Sequence, residues 1–209
     1  MAAPITLVVA ISGSGSNLQS IIDRIEAGEL NAQIAAVVSN RPEVKGLERA
    51  EKHGIPTEVI NHKAFDSRDA FDDELKSRIE KYQPDLVVLA GFMRILGADI
   101  ARHFRGRMFN IHPSLLPKYP GLHTHERVLE AGETEHGTSI HFVTEELDGG
   151  PLVAQRSFSI EADDTPDSLF NKVQAIEHEL YPEVIGWFAE GRLTLSGDEP
   201  LLDGKVVKF

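Results

Sequence analysis

An amide and an imidazole stand two residues apart in Phe109-Asn110-Ile111-His112-Pro113-Ser114-Leu115-Leu116-Pro117. On an extended chain side chains alternate between faces, so Asn110 and His112 share one side. When an amine attacks a carbonyl carbon, the tetrahedral intermediate carries a negative oxygen, and an amide N–H and a protonated imidazole are suitable donors to it. A general base must also take the proton that the attacking amine acquires. Each residue has a plainer explanation too: Asn110 satisfying a turn, and His112 closing a strand edge before Pro113. A second candidate is Gly13-Ser-Gly-Ser-Asn17, between an apolar run and a helical one. At such a junction, bare N–H groups at a helix N-terminus can hold an anion, and Gly15 is expected to permit close approach of a phosphate. The P-loop requires Gly-Lys-Ser/Thr, which is absent, and the dinucleotide fingerprint needs a third glycine where this chain has Leu18. The plainer alternative is a tight turn with a Ser/Asn helix cap, which accounts for single glycines but not for five consecutive small or polar residues. Asp148 is ambiguous: Asp-Gly between alternating runs is a hairpin signal that needs no catalytic role.

The elements that must position these residues alternate through the first half, as in a parallel sheet with crossover helices. Strands are predicted at Ile5–Ser12, Gln33–Ser39, Pro56–Ile60, Asp85–Ala90 and Arg107–Ile111, and helices at Asn17–Ala27, Gly46–His53, Arg68–Tyr82 and Gly97–His103. Leu86-Val-Val-Leu-Ala90 is apolar throughout, which fits a strand covered on both faces and places binding residues beyond the strands' carboxyl ends. Strand two ends in Ser39-Asn40, with no acid to hold a ribose diol. In the second half, Gly137–Thr144 and Leu152–Ile160 read as a hairpin, followed by a long helix from Pro166 to Ala189 capped by Thr165. Lys118–His136 is expected to be a mobile connection, and the tail from Leu193 shows weak strand character around Lys205–Lys208. The fold class is therefore α/β: a mainly parallel, Rossmann-like sheet flanked by helices, with a C-terminal antiparallel hairpin and long helix.

Composition sets the outer bounds. The 209 residues, 41% hydrophobic and 26% charged, fit one globular domain. A net charge of −12 argues against nucleic acid as a partner and means that an anionic small molecule needs a local cradle of backbone N–H groups and a few basic side chains. There is no cysteine, no basic leader and no apolar run long enough to span a bilayer, so the expected location is the cytoplasm, away from membranes. His123-x-His125 with His136 and His141 invites a zinc reading, but without HExxH or cysteine ligands these are read as loop or core histidines and no metal is expected.

Five segments together resemble the phosphoribosylglycinamide formyltransferases of purine synthesis: Ile11-Ser-Gly-Ser-Gly-Ser-Asn-Leu-Gln19, Ala90-Gly-Phe-Met-Arg-Ile-Leu96, Asn110-Ile-His-Pro-Ser-Leu-Leu-Pro-Lys-Tyr-Pro-Gly121, His136-Gly-Thr-Ser-Ile-His-Phe142 and Leu147-Asp-Gly-Gly-Pro151. The resemblance runs from the first strand to about Arg192. It implies a catalytic trio of Asn110, His112 and Asp148, which turns Asp148 toward function. It implies phosphate binding by Gly13, Ser14, Gly15, Ser16 and Asn17, further acceptor contacts from Gly91, Met93 and Pro113, and a ribose contact from Glu177. It places the co-substrate 10-formyltetrahydrofolate against Arg68, Met93, Arg94, Ile95, Leu96, Asn110, Thr144, Glu145, Glu146, Leu147 and Asp148. Ser14 departs from the asparagine of many relatives, an exchange a backbone cradle tolerates. The implied layout is a phosphate-binding half over about 1–105, a catalytic and folate-binding half over about 106–192, and a tail over 193–209, in a monomer or homodimer.

The Asn-x-His-Pro and Leu-Asp-Gly-Gly core is also similar to that of methionyl-tRNA formyltransferase and formyltetrahydrofolate deformylase. The acidic charge, the glycine loop and the lack of room for a further domain favour the small phosphorylated acceptor. A non-catalytic nucleotide-binding module on the same scaffold would bind ligand without turnover. A nicotinamide dehydrogenase is disfavoured by Leu18 and the missing ribose acid.

Overall fold

The computed structural model describes residues 2–209. At its centre lies β1 (Ile5–Ile11), in which Leu7 to Ile11 are wholly buried. Alternation sorts these residues between two layers. Leu7, Val9 and Ile11 join a core with residues of α1 (Ser16–Glu26), α2 (Lys45–Lys52) and α6 (Pro166–Ala189), whereas Val8 and Ala10 join one with α3 (Arg68–Glu80) and α4 (Ala98–His103). Apolar side chains on both faces are what a doubly covered parallel strand requires.

The main sheet has seven strands in the order β3 (Thr57–Val59), β2 (Ala32–Ser39), β1, β4 (Leu86–Leu89), β5 (Met108–His112), β6 (Glu135–Phe142) and β7 (Leu152–Ser159). The first five run parallel and the last two antiparallel. From β1 the chain works outward through β2 and β3, then returns to β1's other side as β4. Connections therefore leave β1 and β4 in opposite directions, and a crevice opens beyond their carboxyl ends.

The long helix forms as its start signals require. The Thr165 hydroxyl accepts from the Ser168 amide, the Ser168 hydroxyl accepts from the Thr165 amide, and Pro166 occupies the first turn, where its missing N–H costs nothing. Three features differ from the sequence expectation. The Lys118–His136 connection contains a seven-residue helix, α5 (Thr124–Glu130), where the sequence reads as a loop. The β6–β7 connection is not a two-residue Asp-Gly turn; nine residues, 143–151, separate the strands. The tail forms a second, antiparallel sheet of β8 (Leu193–Ser196), β9 (Glu199–Leu202) and β10 (Lys205–Val206). Among the described residues, no helix is long and apolar enough to cross a membrane.

Candidate active site

Ser12, just past β1, fastens the crevice together. Its amide donates to the Gly91 carbonyl at 3.1 Å, its hydroxyl accepts from the Met93 amide at 2.8 Å, and the same hydroxyl donates to Asn40 beyond β2. The glycine loop begins at the next residue. Its carbonyls are drawn outward: Gly13 accepts from the Gly46 amide (3.0 Å), Ser14 from the Arg49 guanidinium (2.7 Å) and Gly15 from the Gln19 amide (2.9 Å). Among the described residues, none of the five amides from Gly13 to Asn17 donates to a protein acceptor. The residue before α1, Gly15, is left-handed at φ 70° and provides no side-chain cap, so the plain Ser/Asn capping alternative does not hold. Five free amides at the positive end of a helix suit an anion.

These amides border a cavity of about 290 Å³. Gly13, Ser14, Gly15, Ser16, Asn17, Gly91, Met93, Pro113 and Glu177, all expected around the acceptor, line it together. Sequence reasoning missed Arg41, which follows β2, and Phe170 and Gln174 of α6. Buried Glu177 joins two elements: one carboxylate oxygen accepts from Asn17 Nδ2 at 3.1 Å and the other from the Thr138 hydroxyl at 3.0 Å. Burial pushes its carboxyl above the usual carboxylate range, and those two donors partly offset the shift. Thr138 Oγ1 also lies 2.9 Å from the His112 carbonyl, so a polar thread runs from the glycine loop to β5.

Strand alternation then divides β5. Ile111 and Pro113 line the cavity, while Asn110 and His112 face the other way and meet Asp148 and His141. His112 Nδ1 lies 3.5 Å from Asp148 Oδ2, both side chains being buried. His112 Nε2 donates to the Tyr119 carbonyl at 2.8 Å, which fixes a proton on that nitrogen. Asp148 Oδ2 also accepts from the Gly121 amide at 2.9 Å, and Oδ1 lies 3.9 Å from His141 Nε2. Asp148 itself adopts φ 50°, which lets segment 143–151 turn back over this face of β5.

His141 is the residue of this cluster that sequence reasoning assigned only to the core. It is buried, and it stands directly opposite Asn110 in the β5–β6 register. Its Nδ1 donates to the Phe142 carbonyl at 2.9 Å, and burial holds its pKa below the ordinary histidine value. The neutral ring thus offers Nε2 as an acceptor, and Asn110 Nδ2 lies 3.3 Å from it. That contact orients the Asn110 amide and leaves its second N–H free. No sequence signal gives this pairing, because it depends on the register of two strands. Two further histidines bond each other: His125 Nδ1 lies 2.9 Å from His136 Nε2.

The residues expected around the folate are arranged less uniformly. Met93, Arg94, Ile95 and Leu96 follow β4, with Met93 and Ile95 more than half exposed, and Arg94 lies over the Phe71 ring. Among the described residues, the buried Arg94 Nε has no hydrogen-bond partner. Arg68 opens α3. Leu147 is exposed, like Met93 and Ile95. Thr144, Glu145 and Glu146 instead line a separate open depression with Arg105 and Asp198, and Glu145 pairs with Arg102.

Comparison with known proteins identifies the chain's relatives. Residues 5–185 match the formyl transferase family model. The chain is 53% identical over 199 residues to phosphoribosylglycinamide formyltransferase of Escherichia coli (strain K12), covering 95% of this chain and 94% of that one. It is 44% identical over 201 residues to the Haemophilus influenzae protein of the same name, covering 96% and 95%. The solved phosphoribosylglycinamide formyltransferase of Coxiella burnetii superposes with a TM-score of 0.94 at 54% identity, covering 98% of this chain and 96% of that one. With its sequence and its fold in agreement, the chain belongs to the formyl transferase family.

Proposed function

We propose that this enzyme transfers the formyl group of 10-formyltetrahydrofolate to the glycyl amine of phosphoribosylglycinamide, the acceptor named in its relatives from E. coli and H. influenzae. The observation that carries this reading is the division of β5. Ile111 and Pro113 face a cavity edged by five free amides, suited to a phosphorylated ribose, while Asn110 and His112 on the opposite face meet Asp148. A substrate lying across the end of this strand touches both. The exposed apolar side chains of Met93, Ile95 and Leu147, with the guanidiniums of Arg68 and Arg94, which make no hydrogen bond to the protein among the described residues, suit a planar aromatic group bearing an anionic tail. The bound folate supplies an activated formyl carbon.

The protein's own part is electrostatic and protonic. The free N–H of Asn110 and the protonated ring of His112 stabilise the oxygen that becomes negative as the amine adds. Asp148, its Oδ2 beside His112 Nδ1, orients the ring and a water and assists removal of the amine's proton. In the geometry observed, His112 Nε2–H is held by the Tyr119 carbonyl, so that contact must open before this donor can turn to a substrate. Glu177 takes the ribose, and the amides of Gly13 to Asn17 take the phosphate. The reaction belongs among cytoplasmic small molecules. Incubation with 10-formyltetrahydrofolate and phosphoribosylglycinamide should yield the N-formylated ribonucleotide and tetrahydrofolate. Product formed only with water, or only with formylatable tRNA, would reassign the acceptor.

A further inference from the structure

The chain contains twelve arginines among 33 acidic residues, and acidic partners are in excess. Nine of those arginines, at 24, 49, 78, 102, 105, 107, 127, 156 and 192, use the guanidinium in a hydrogen bond to the protein. Three make no such bond among the described residues: Arg41, Arg68 and Arg94. Two of the three fall in the region proposed for the co-substrate. The third lies at the glycine-loop cavity, where neither motif nor spacing had singled it out.

Arg41 is placed there by its backbone. The Ser39 hydroxyl at the end of β2 donates to the Arg41 carbonyl at 2.6 Å and lies 3.1 Å from its amide, closing a tight turn that carries the side chain to the cavity. The other lining groups supply little positive charge. The loop presents neutral amides, Asn17 and Gln174 are neutral, and burial lowers the His125 pKa and so favours its uncharged ring. Arg41 is the one lining residue with a permanent full positive charge. On a molecule of net charge −12, five amide dipoles alone give a dianion a cradle without a counter-charge.

We propose that Arg41 is the charge-reading residue of the acceptor subsite, closing over a phosphate monoester whose oxygens the glycine-loop amides hold from the other side. This rests on the proposed function for the identity of the acceptor, but not for the chemistry of the subsite. The guanidinium forms a fork matched to two phosphate oxygens. Arg41→Gln keeps hydrogen-bonding capacity and loses the charge, and Arg41→Lys returns the charge without the fork.

Arg41→Gln is expected to raise the acceptor's KM by about tenfold or more, the scale of a hydrogen bond to a charged group, and to spare the KM of the folate. It should also flatten the rise of acceptor KM with ionic strength, a readout that loss of a merely structural side chain would leave unchanged. Arg41→Lys should restore most of the salt dependence and part of the affinity. An unchanged acceptor KM and salt slope in Arg41→Gln would overturn the proposal. Titration calorimetry with ribose 5-phosphate separates this inference from the reaction assignment. Weaker binding by Arg41→Gln than by the wild type supports the subsite even if no formylated product forms, and equal binding overturns it even if the wild type turns over.

Discussion

Asp148 meets two demands at once: its backbone takes φ 50°, which the folded-back connection needs, and its buried carboxylate lies beside His112. The local Asp-Gly pattern makes the turn visible and hides the rest, because it carries no information about which strand will face it; only the combined resemblance points to function. Asp148→Asn separates the two, since asparagine also tolerates a left-handed backbone but carries no charge. It should fold normally and lose roughly 10²–10⁴ in kcat, the usual reach of acid–base assistance. A residue serving only the turn would leave an active mutant. If His112 and Asp148 act as the unit proposed, the double mutant His112→Ala/Asp148→Asn should be little slower than the poorer single mutant. Full multiplication of the two losses, measured as kcat at saturating levels of both substrates, would show that they act independently.

At the scale of elements, the glycine loop is shaped by the helix behind it. A Cβ on Gly15 would stand 2.7 Å from the Gly46 Cα, and φ 70° already disfavours a side chain. Gly15 is therefore needed for packing against α2, which revises the expectation that it chiefly admits phosphate. Gly15→Val should cost stability, on the order of 1–3 kcal/mol in urea unfolding, from overpacking and backbone strain. Gly13 is the cleaner probe, because a Cβ there meets nothing within 4 Å while the residue still lines the cavity. Gly13→Ala should leave the unfolding midpoint nearly unchanged and raise the acceptor's KM on the order of tenfold. An unaltered KM would remove the loop from acceptor binding. Most elements were legible from apolar runs and capping: four largely buried parallel strands and a capped 24-residue helix. α5 lies in a stretch read as a loop, the tail strands are short and mostly exposed or half-buried so that no apolar run marks them, and the Asn110–His141 pairing needs a register that only tertiary structure sets.

The whole molecule's response to acid follows from its buried histidines. Burial, reinforced by the neighbouring His125 and His112, lowers the pKa of His136 from 6.5 to about 4, and burial also lowers those of His125 and His141. The folded state thus binds these protons less readily than the unfolded chain. The contribution these histidines make to stability is fully present above about pH 6.5 and is lost as pH falls toward 4. His136 alone should cost on the order of 2 kcal/mol between pH 7 and 4.5. Urea midpoints measured across that window should fall with acid, and His136→Gln should flatten the decline; an equally steep decline would exclude His136 as its source. The contact between Asn17 and Glu177 has a different consequence, in time. It spans 160 residues, and a second contact, Gln174 to Ser16, spans 158, so the first helix meets its partner only when the last one arrives. Contacts of such separation form late, because a long loop must close before they return any stabilisation. On the ribosome the glycine loop emerges early but has no opposing wall until α6 has been made. A nascent chain can fold much of its sheet and still have no cavity to offer, so the first molecule of acceptor it holds marks the moment its fold is complete.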